Sequence, residues 1–138
     1  MGKTLFADNP AMVLAINSHH PGKAAATATE SRPVFVAPAD CYIIALDVIP
    51  QATITGADTN STNLNLIDKG TAGTGSTELA NRDYVSGTNS TGFVKQSIYA
   101  PASPLEVSAG NVLAIELEKV GDGLIIPEML VQVTYRLK

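Results

Sequence analysis

Two adjacent histidines, His19 and His20, are the only imidazoles in the chain, so histidine-based metal or proton chemistry would have to run through them. On extended backbone, neighbouring side chains project to opposite faces, and no third ligand of suitable type stands close by in sequence to complete a site. Both are expected to be solvated. A cupin-type enzyme, the commonest catalytic use of a jelly-roll barrel, needs three histidines and a glutamate converging inside it, and this chain cannot supply them. Asp58, Asp68, Glu78 and Asp83 could form a carboxylate pair on paper, yet no spacing brings two of them to acid–base distance. They are expected to be loop and rim charges. The glycine-rich stretch Gly70–Gly75 lacks both the order of a dinucleotide fingerprint and the lysine and helix that follow a P-loop, and Gly2-Lys3-Thr4 is a fragment of such a loop. Cys41, the single cysteine, lies in an apolar run and is expected to be an inert buried thiol. Asn60-Ser-Thr62 and Asn89-Ser-Thr91 fit the glycosylation acceptor pattern but read as turn residues, with Asn60 to Asn63 bonding their own backbone to shape a long loop. No catalytic residue, cofactor or metal ligand is therefore expected, and the chain is expected not to be an enzyme.

The elements that would carry these residues are strands. The longest apolar run, Cys41 to Ile49, sets Tyr42, Ile44, Leu46 and Val48 on one parity, while Ala45 and Asp47 dilute the other. That is the period-two pattern of a half-buried strand. In the last strand Met129, Val131, Val133, Tyr135 and Leu137 alternate with polar residues, an alternation broken only by Leu130. Leu113, Ile115 and Leu117 oppose Ala114, Glu116 and Glu118 in the same way. Further strands are expected at 33–37, 52–55, 63–68, 77–81, 92–99 and 105–107, with turns at Ser108–Asn111 and Gly121–Gly123. Eight or nine short strands without a helical stripe indicate an all-β, jelly-roll-like antiparallel β-sandwich.

Composition agrees. At 138 residues the chain is one core by length, able to bury roughly two thirds of its unfolded surface. The apolar 45% is aliphatic, with aromatics at 5% and no tryptophan. A net charge of −4 and scattered basic residues argue against nucleic acid as a partner. No run approaches the roughly 18 apolar residues of a membrane helix, and the start lacks the signature of a signal peptide. No membrane partner is expected, and synthesis is expected in a reducing cytoplasm.

Residues 1–31 differ from the rest, with Asn9-Pro10, Ser18-His-His-Pro-Gly22 and an alanine–threonine tract surrounding the short apolar stretch Met12–Ile16. The expected organisation is an extended N-terminal arm, 1–31, followed by a sandwich over 32–138 that is stable without it. An arm of this kind orders against another surface, and Met12–Ile16 suits addition to a neighbour's sheet edge.

The succession Ala52-Thr-Ile-Thr-Gly56, Asp58 to Leu66, Lys69 to Gly75, Leu105 to Leu113, Gly121 to Leu124 and the alternating last strand resembles the head decoration, or head auxiliary, proteins of tailed bacteriophages. The resemblance spans about residues 32 to 138 and is a strand grammar rather than an active-site motif. It implies a trimeric β-sandwich at the local threefold positions of an expanded capsid, clamping the major capsid protein from outside and stabilising the shell. It also implies an N-terminal arm that contacts the capsid, for which Leu5, Phe6, Met12, Val13, Leu14 and Ile16 are the apolar candidates. A homotrimer fits the low charge content of 16%, which leaves apolar surface to be covered. The rival expectation is a virion fibre or carbohydrate-binding module, disfavoured because sugar platforms rely on exposed aromatic rings.

Overall fold

The computed structural model describes residues 12–138 and is all-β. Among the described residues nine strands occur: β1 Leu14–His20, β2 Glu30–Val36, β3 Cys41–Pro50, β4 Ser61–Gly70, β5 Thr77–Asp83, β6 Gln96–Tyr99, β7 Leu105–Val107, β8 Val112–Val120 and β9 Met129–Leu137. They form two antiparallel sheets. One runs β1-β9-β3-β6, with β7 also pairing β3; the other runs β2-β8-β4-β5. β6 and β7 pair successive parts of β3, Leu46–Val48 and Cys41–Ile43, so they act as one interrupted edge strand.

Alternation places the core between the sheets. Val131, Val133 and Tyr135 of β9 and Leu46 and Val48 of β3 face Leu64 and Leu66 of β4 and Leu113, Ile115 and Leu117 of β8. The rings of Phe35 and Tyr135 meet across the gap at 5.4 Å. The expected β8 and β9 faces are both found, except that Ala114 is buried as well. β3 departs from strict parity. A bulge between Ile43 and Ala45 switches its inward face, so Cys41 and Ile43 are buried below the bulge and Leu46 and Val48 above it. Tyr42 and Ile44 turn outward, and Arg136 lies 4.3 Å from the centre of the Tyr42 ring. Cys41 is fully buried, which pushes its thiol pKa up, with the Asp40 charge adding to the shift.

The N-terminal boundary moves. Residues Leu14–His20 pair β9 over seven consecutive positions, and β2 starts at Glu30, so a division at residue 32 cuts through the sandwich. Without β1, the backbone of β9 would have one unpaired side above Met129, Val131 and Val133, whose side chains have no exposure to spare. Two further expectations shift. Ala52–Thr55 makes a single bridge, Ile54 to Ser90, in place of a strand, and the strand expected at 92–99 begins only at Gln96 because a turn occupies Thr91–Val94.

His20 is buried rather than solvated, because its side chain takes the inward parity of β1 while His19 takes the outward one. The Gly22 amide donates to His20 Nδ1 at 3.0 Å, so that nitrogen is unprotonated and the ring proton sits on Nε2. Gly22 holds a φ of +78° and lies so close to Ile126 and Pro127 that a Cβ would fall 2.3 Å from the Ile126 carbonyl oxygen. Burial lowers the His20 pKa from 6.5; Glu30 opposes the shift, while Arg32 and His19 add to it. A depressed histidine contributes stability above its unfolded pKa and loses it as pH falls. Chemical unfolding midpoints should therefore drop as pH is lowered from 6.5, and His20→Asn, which keeps an acceptor for the Gly22 amide, should flatten that slope. An unchanged slope in the variant would assign the pH dependence to other groups.

Candidate functional site

The connections are unequal. At one end of the sandwich lie the four long ones, residues 21–29, 51–60, 84–95 and 121–128; at the other lie the short turns 37–40, 71–76 and 108–111. Long connections held on a rigid scaffold are where binding function concentrates.

Side chains and backbone staple the long loops to one another. Lys23 and Ile126 exchange both backbone bonds at 2.8 Å, and the Ala26 amide reaches the Asp122 carbonyl. Asn60 Oδ1 accepts from the Asp122 amide and Thr62 Oγ1 from the Leu124 amide, both at 2.9 Å. These polar residues thus brace the neighbouring loop rather than their own backbone. Asn89 Oδ1 accepts from the Gly56 amide, Asp58 accepts from the Ser86 amide, and the buried Tyr84 hydroxyl meets Ser90 at 3.0 Å. Beneath this end the Lys23 Nζ is buried and finds no hydrogen-bond partner among the described residues. Burial pulls its pKa down, with Glu30 opposing and Lys119 assisting.

On this braced end apolar side chains face solvent. Among the described residues eight large hydrophobic side chains are exposed, and six of them are here: Val85, Phe93, Val94, Val120, Ile125 and Leu130. Phe93 is 79% exposed and Ile125 71%. Phe93 also carries a φ of 60°, a left-handed conformation that costs an L-residue roughly 1–2 kcal/mol. It is held there by its amide bond to the Pro50 carbonyl at 2.7 Å and by the turn bond from the Val94 amide to the Thr91 carbonyl. An aromatic ring kept exposed in a strained backbone is a feature that structure alone does not require.

A cleft of about 280 Å³ separates Phe93 from the first sheet, floored by Ile49, Pro50, Met129 and Leu130 and walled by Gln51, His19 and Glu128. His19 Nε2 and Glu128 Oε2 lie 3.2 Å apart with both side chains open to solvent. The lining offers no hydroxyl or thiol nucleophile. Among the described residues no group of three histidine, cysteine, aspartate or glutamate side chains is placed to hold a metal. What the cleft offers is an apolar floor with one polar pair at its rim.

No protein-family model matches the chain, and no curated protein matches it. Among solved structures, a chain in the structure of infectious bursal disease virus, Gx strain, aligns with 91% of this chain and 29% of its own length, at 11% identity and a TM-score of 0.24. The chain thus spans under a third of that neighbour. A likeness at this score carries no argument.

The residues singled out in sequence fall in three places. Leu14 and Ile16 pack against the core as inward positions of β1, Met12 is half-buried, and Val13 is 56% exposed at the far end from the long loops. Leu5 and Phe6 lie outside the described residues. Asp68, at the short-turn end, accepts from the Gly70 amide at 2.8 Å and from Asn111 at 2.9 Å, so one amide of the glycine-rich loop is taken by the protein's own carboxylate. The exposed set at the long-loop end was missed. Its signal in the sequence was the exceptions: Leu130 breaking an alternating strand, and Phe93-Val94 directly after a glycine.

Proposed function

We propose that the chain is a structural virion protein, a decoration protein that attaches as a homotrimer to the outside of an expanded bacteriophage head and stabilises it. The observation that carries this reading is the concentration of exposed apolar side chains on one braced end of the sandwich, around a cleft lined by no hydroxyl or thiol. Such a patch favours docking onto a large surface over turnover of a small molecule. The strand order supports a jelly roll. β1 pairs β9, β2 pairs β8, β3 pairs β6 and β7, and β4 pairs β5, as in one long antiparallel hairpin rolled up on itself. The resemblance over residues 32–138 supplies the phage head, its threefold positions and the major capsid protein as the partner.

In this reading the long-loop end, with Phe93 and Ile125 foremost, is the capsid-facing surface, in place of Leu14 and Ile16, whose side chains already serve the sandwich. The mechanism is linkage. A protein that binds the assembled shell but not its separated subunits stabilises the shell by about 2.7 kcal/mol per site at a hundredfold excess over its dissociation constant. A glycan platform would want stacked rings, and among the described residues Phe93 is the single exposed aromatic.

The test is co-sedimentation with expanded heads that lack the protein. Wild-type chain should pellet with heads in saturable amounts, while Ile125→Asp, folded by circular dichroism, should stay in the supernatant. Undiminished pelleting of that variant would place the contact elsewhere, and no pelleting of wild type would remove the capsid as partner.

A further inference from the structure

The pairing of β1 with β9 continues past His20. His20 stands opposite Met129, and Lys23 stands opposite Ile126 in the same register, exchanging both backbone bonds at 2.8 Å. Between these two pairs the ladder is interrupted, because neither Pro21 nor Pro127 has an amide to donate. Within the gap the Gly22 amide takes the His20 ring as its acceptor, with Nδ1 at 3.0 Å. Gly22 is pressed so closely on the Ile126 and Pro127 backbone that a Cβ would collide with it. One imidazole therefore fixes the step by which loop 21–29 reaches loop 121–128. Ile125, next to the bridged Ile126, is one of the two most exposed apolar side chains of the docking end.

This bond exists only while Nδ1 is unprotonated. An imidazolium carries a hydrogen on both nitrogens, so Nδ1 would meet the Gly22 amide donor to donor. Its Nε2 is already buried and finds no partner among the described residues, and buried donors without acceptors are costly, charged ones most of all. The surrounding charges do not rescue the charged ring. Glu30 of β2 favours it, but the Glu30 carboxylate is engaged by Arg32 at 3.2 Å, and Arg32 itself opposes the charge. His19 of β1 opposes it too, with its own ring turned outward to Glu128. Opposite on β9 stands the buried, apolar Met129, while the buried Lys23 and Lys119 of β8 add positive charge to the same end.

We propose that His20 is a pH-sensitive latch: neutral, it holds loop 121–128 and with it Ile125 in the docking arrangement, and protonated, it releases Lys23 from Ile126 and loosens that end while the two sheets stay folded. The proposal rests on the reading of the loop end as the docking surface and adds its regulation. Burial lowers the His20 pKa below 6.5, so the closed latch is fully favoured above that pH. Below it the closed form weakens by up to about tenfold per pH unit, until the closed form itself takes up the proton.

Amide hydrogen exchange on the full chain, corrected for the unstructured rate at each pH, reads the latch without any head. Protection at the Lys23 and Ile126 amides should lie at least about tenfold below that of Ile115 and Leu66 in the central strands, the mark of opening without unfolding. On lowering the pH below 6.5 it should fall further, by up to about tenfold per unit. In His20→Asn, whose side-chain oxygen can accept from the Gly22 amide and does not titrate, it should stay level. His19→Gln should follow the wild type in this measurement. Protection that is level with pH in the wild type, that equals the Ile115 and Leu66 values, or that still falls in His20→Asn would overturn the latch. Head binding is then titrated at neutral and at acid pH, where the wild type should lose about tenfold in affinity and His20→Asn should lose none. Equal wild-type binding at both, with the exchange result in place, would break the link between latch and docking. No wild-type binding at either pH would remove the docking reading and leave the latch standing.

Discussion

A chain that starts at Arg32 should fail to fold cooperatively, whereas one that starts at Met12 should keep its β-sheet circular-dichroism signal and a single unfolding transition. The shorter chain loses all seven β1 positions on β9, the Lys23–Ile126 bridge and the first two residues of β2. It also loses the inward side chains of Leu14, Ile16 and His20. A fully buried aliphatic side chain stabilises by roughly 1.5–3 kcal/mol, and the half-buried Leu14 and Ile16 by less. The larger loss falls on what they covered. Met129, Val131 and Val133, each at most 2% exposed, would face solvent along an open side of β9. Set against a total stability of about 5–15 kcal/mol for a domain of this kind, the combined loss is of the same order. Urea titrations followed by far-UV circular dichroism compare the chains directly. A cooperative transition in the Arg32 chain at the wild-type midpoint would show that β1 is an accessory to a self-sufficient sandwich.

This outcome bears on what a sequence can disclose. The inward faces of β8 and β9 were legible because an antiparallel strand with one wet face must alternate, and Leu113, Ile115 and Leu117 of β8 and Val131 and Val133 of β9 do so with no bulge on their own strands to exchange the faces. β1 was not legible as a core strand because half of its inward face is polar. Leu14 and Ile16 are followed by Ser18 and His20, so the period-two signal fades after two residues although the backbone pairing does not. β3 failed for a different reason. One extra residue at the Ile43–Ala45 bulge exchanges the two faces, and its apolar side chains on both parities leave no pattern to mark where the exchange occurs. The candidate site is harder still. Phe93, Ile125 and Leu130 stand on different connections and strands, and only the closing of the 84–95 and 121–128 loops over the same end brings them to one surface. Loop length was readable from the turn signals; which end each loop reaches depends on pairing between strands far apart in the chain.

Replacing Phe93 by glycine should separate the ring's contribution to binding from its cost to the fold. The ring is 79% exposed, so removing it forfeits little burial within the chain. Its φ of 60° is a conformation glycine adopts freely, and relief of that strain, about 1–2 kcal/mol, opposes the roughly 0.4–1 kcal/mol by which glycine's freedom favours the unfolded chain. Phe93→Gly should therefore match wild type in stability to within about 1 kcal/mol, while Phe93→Ala, which keeps the strain and loses the ring, should be the least stable of the three. Binding should follow a different order. A buried aromatic anchor at a protein interface contributes at least about 2 kcal/mol, or roughly 30-fold in affinity. Both variants should then bind expanded heads about 30-fold more weakly than wild type, whatever their stability. The amide bonds that fix the turn, Phe93 to Pro50 and Val94 to Thr91, survive either substitution, so the loop keeps its path and the comparison isolates the side chain. Titration of labelled protein onto heads, alongside urea unfolding of the same three proteins, reads both quantities. If Phe93→Gly binds as wild type does, the ring is not the anchor and its strained exposure has another cause; if binding tracks stability across the series, the loop end contributes shape rather than contact.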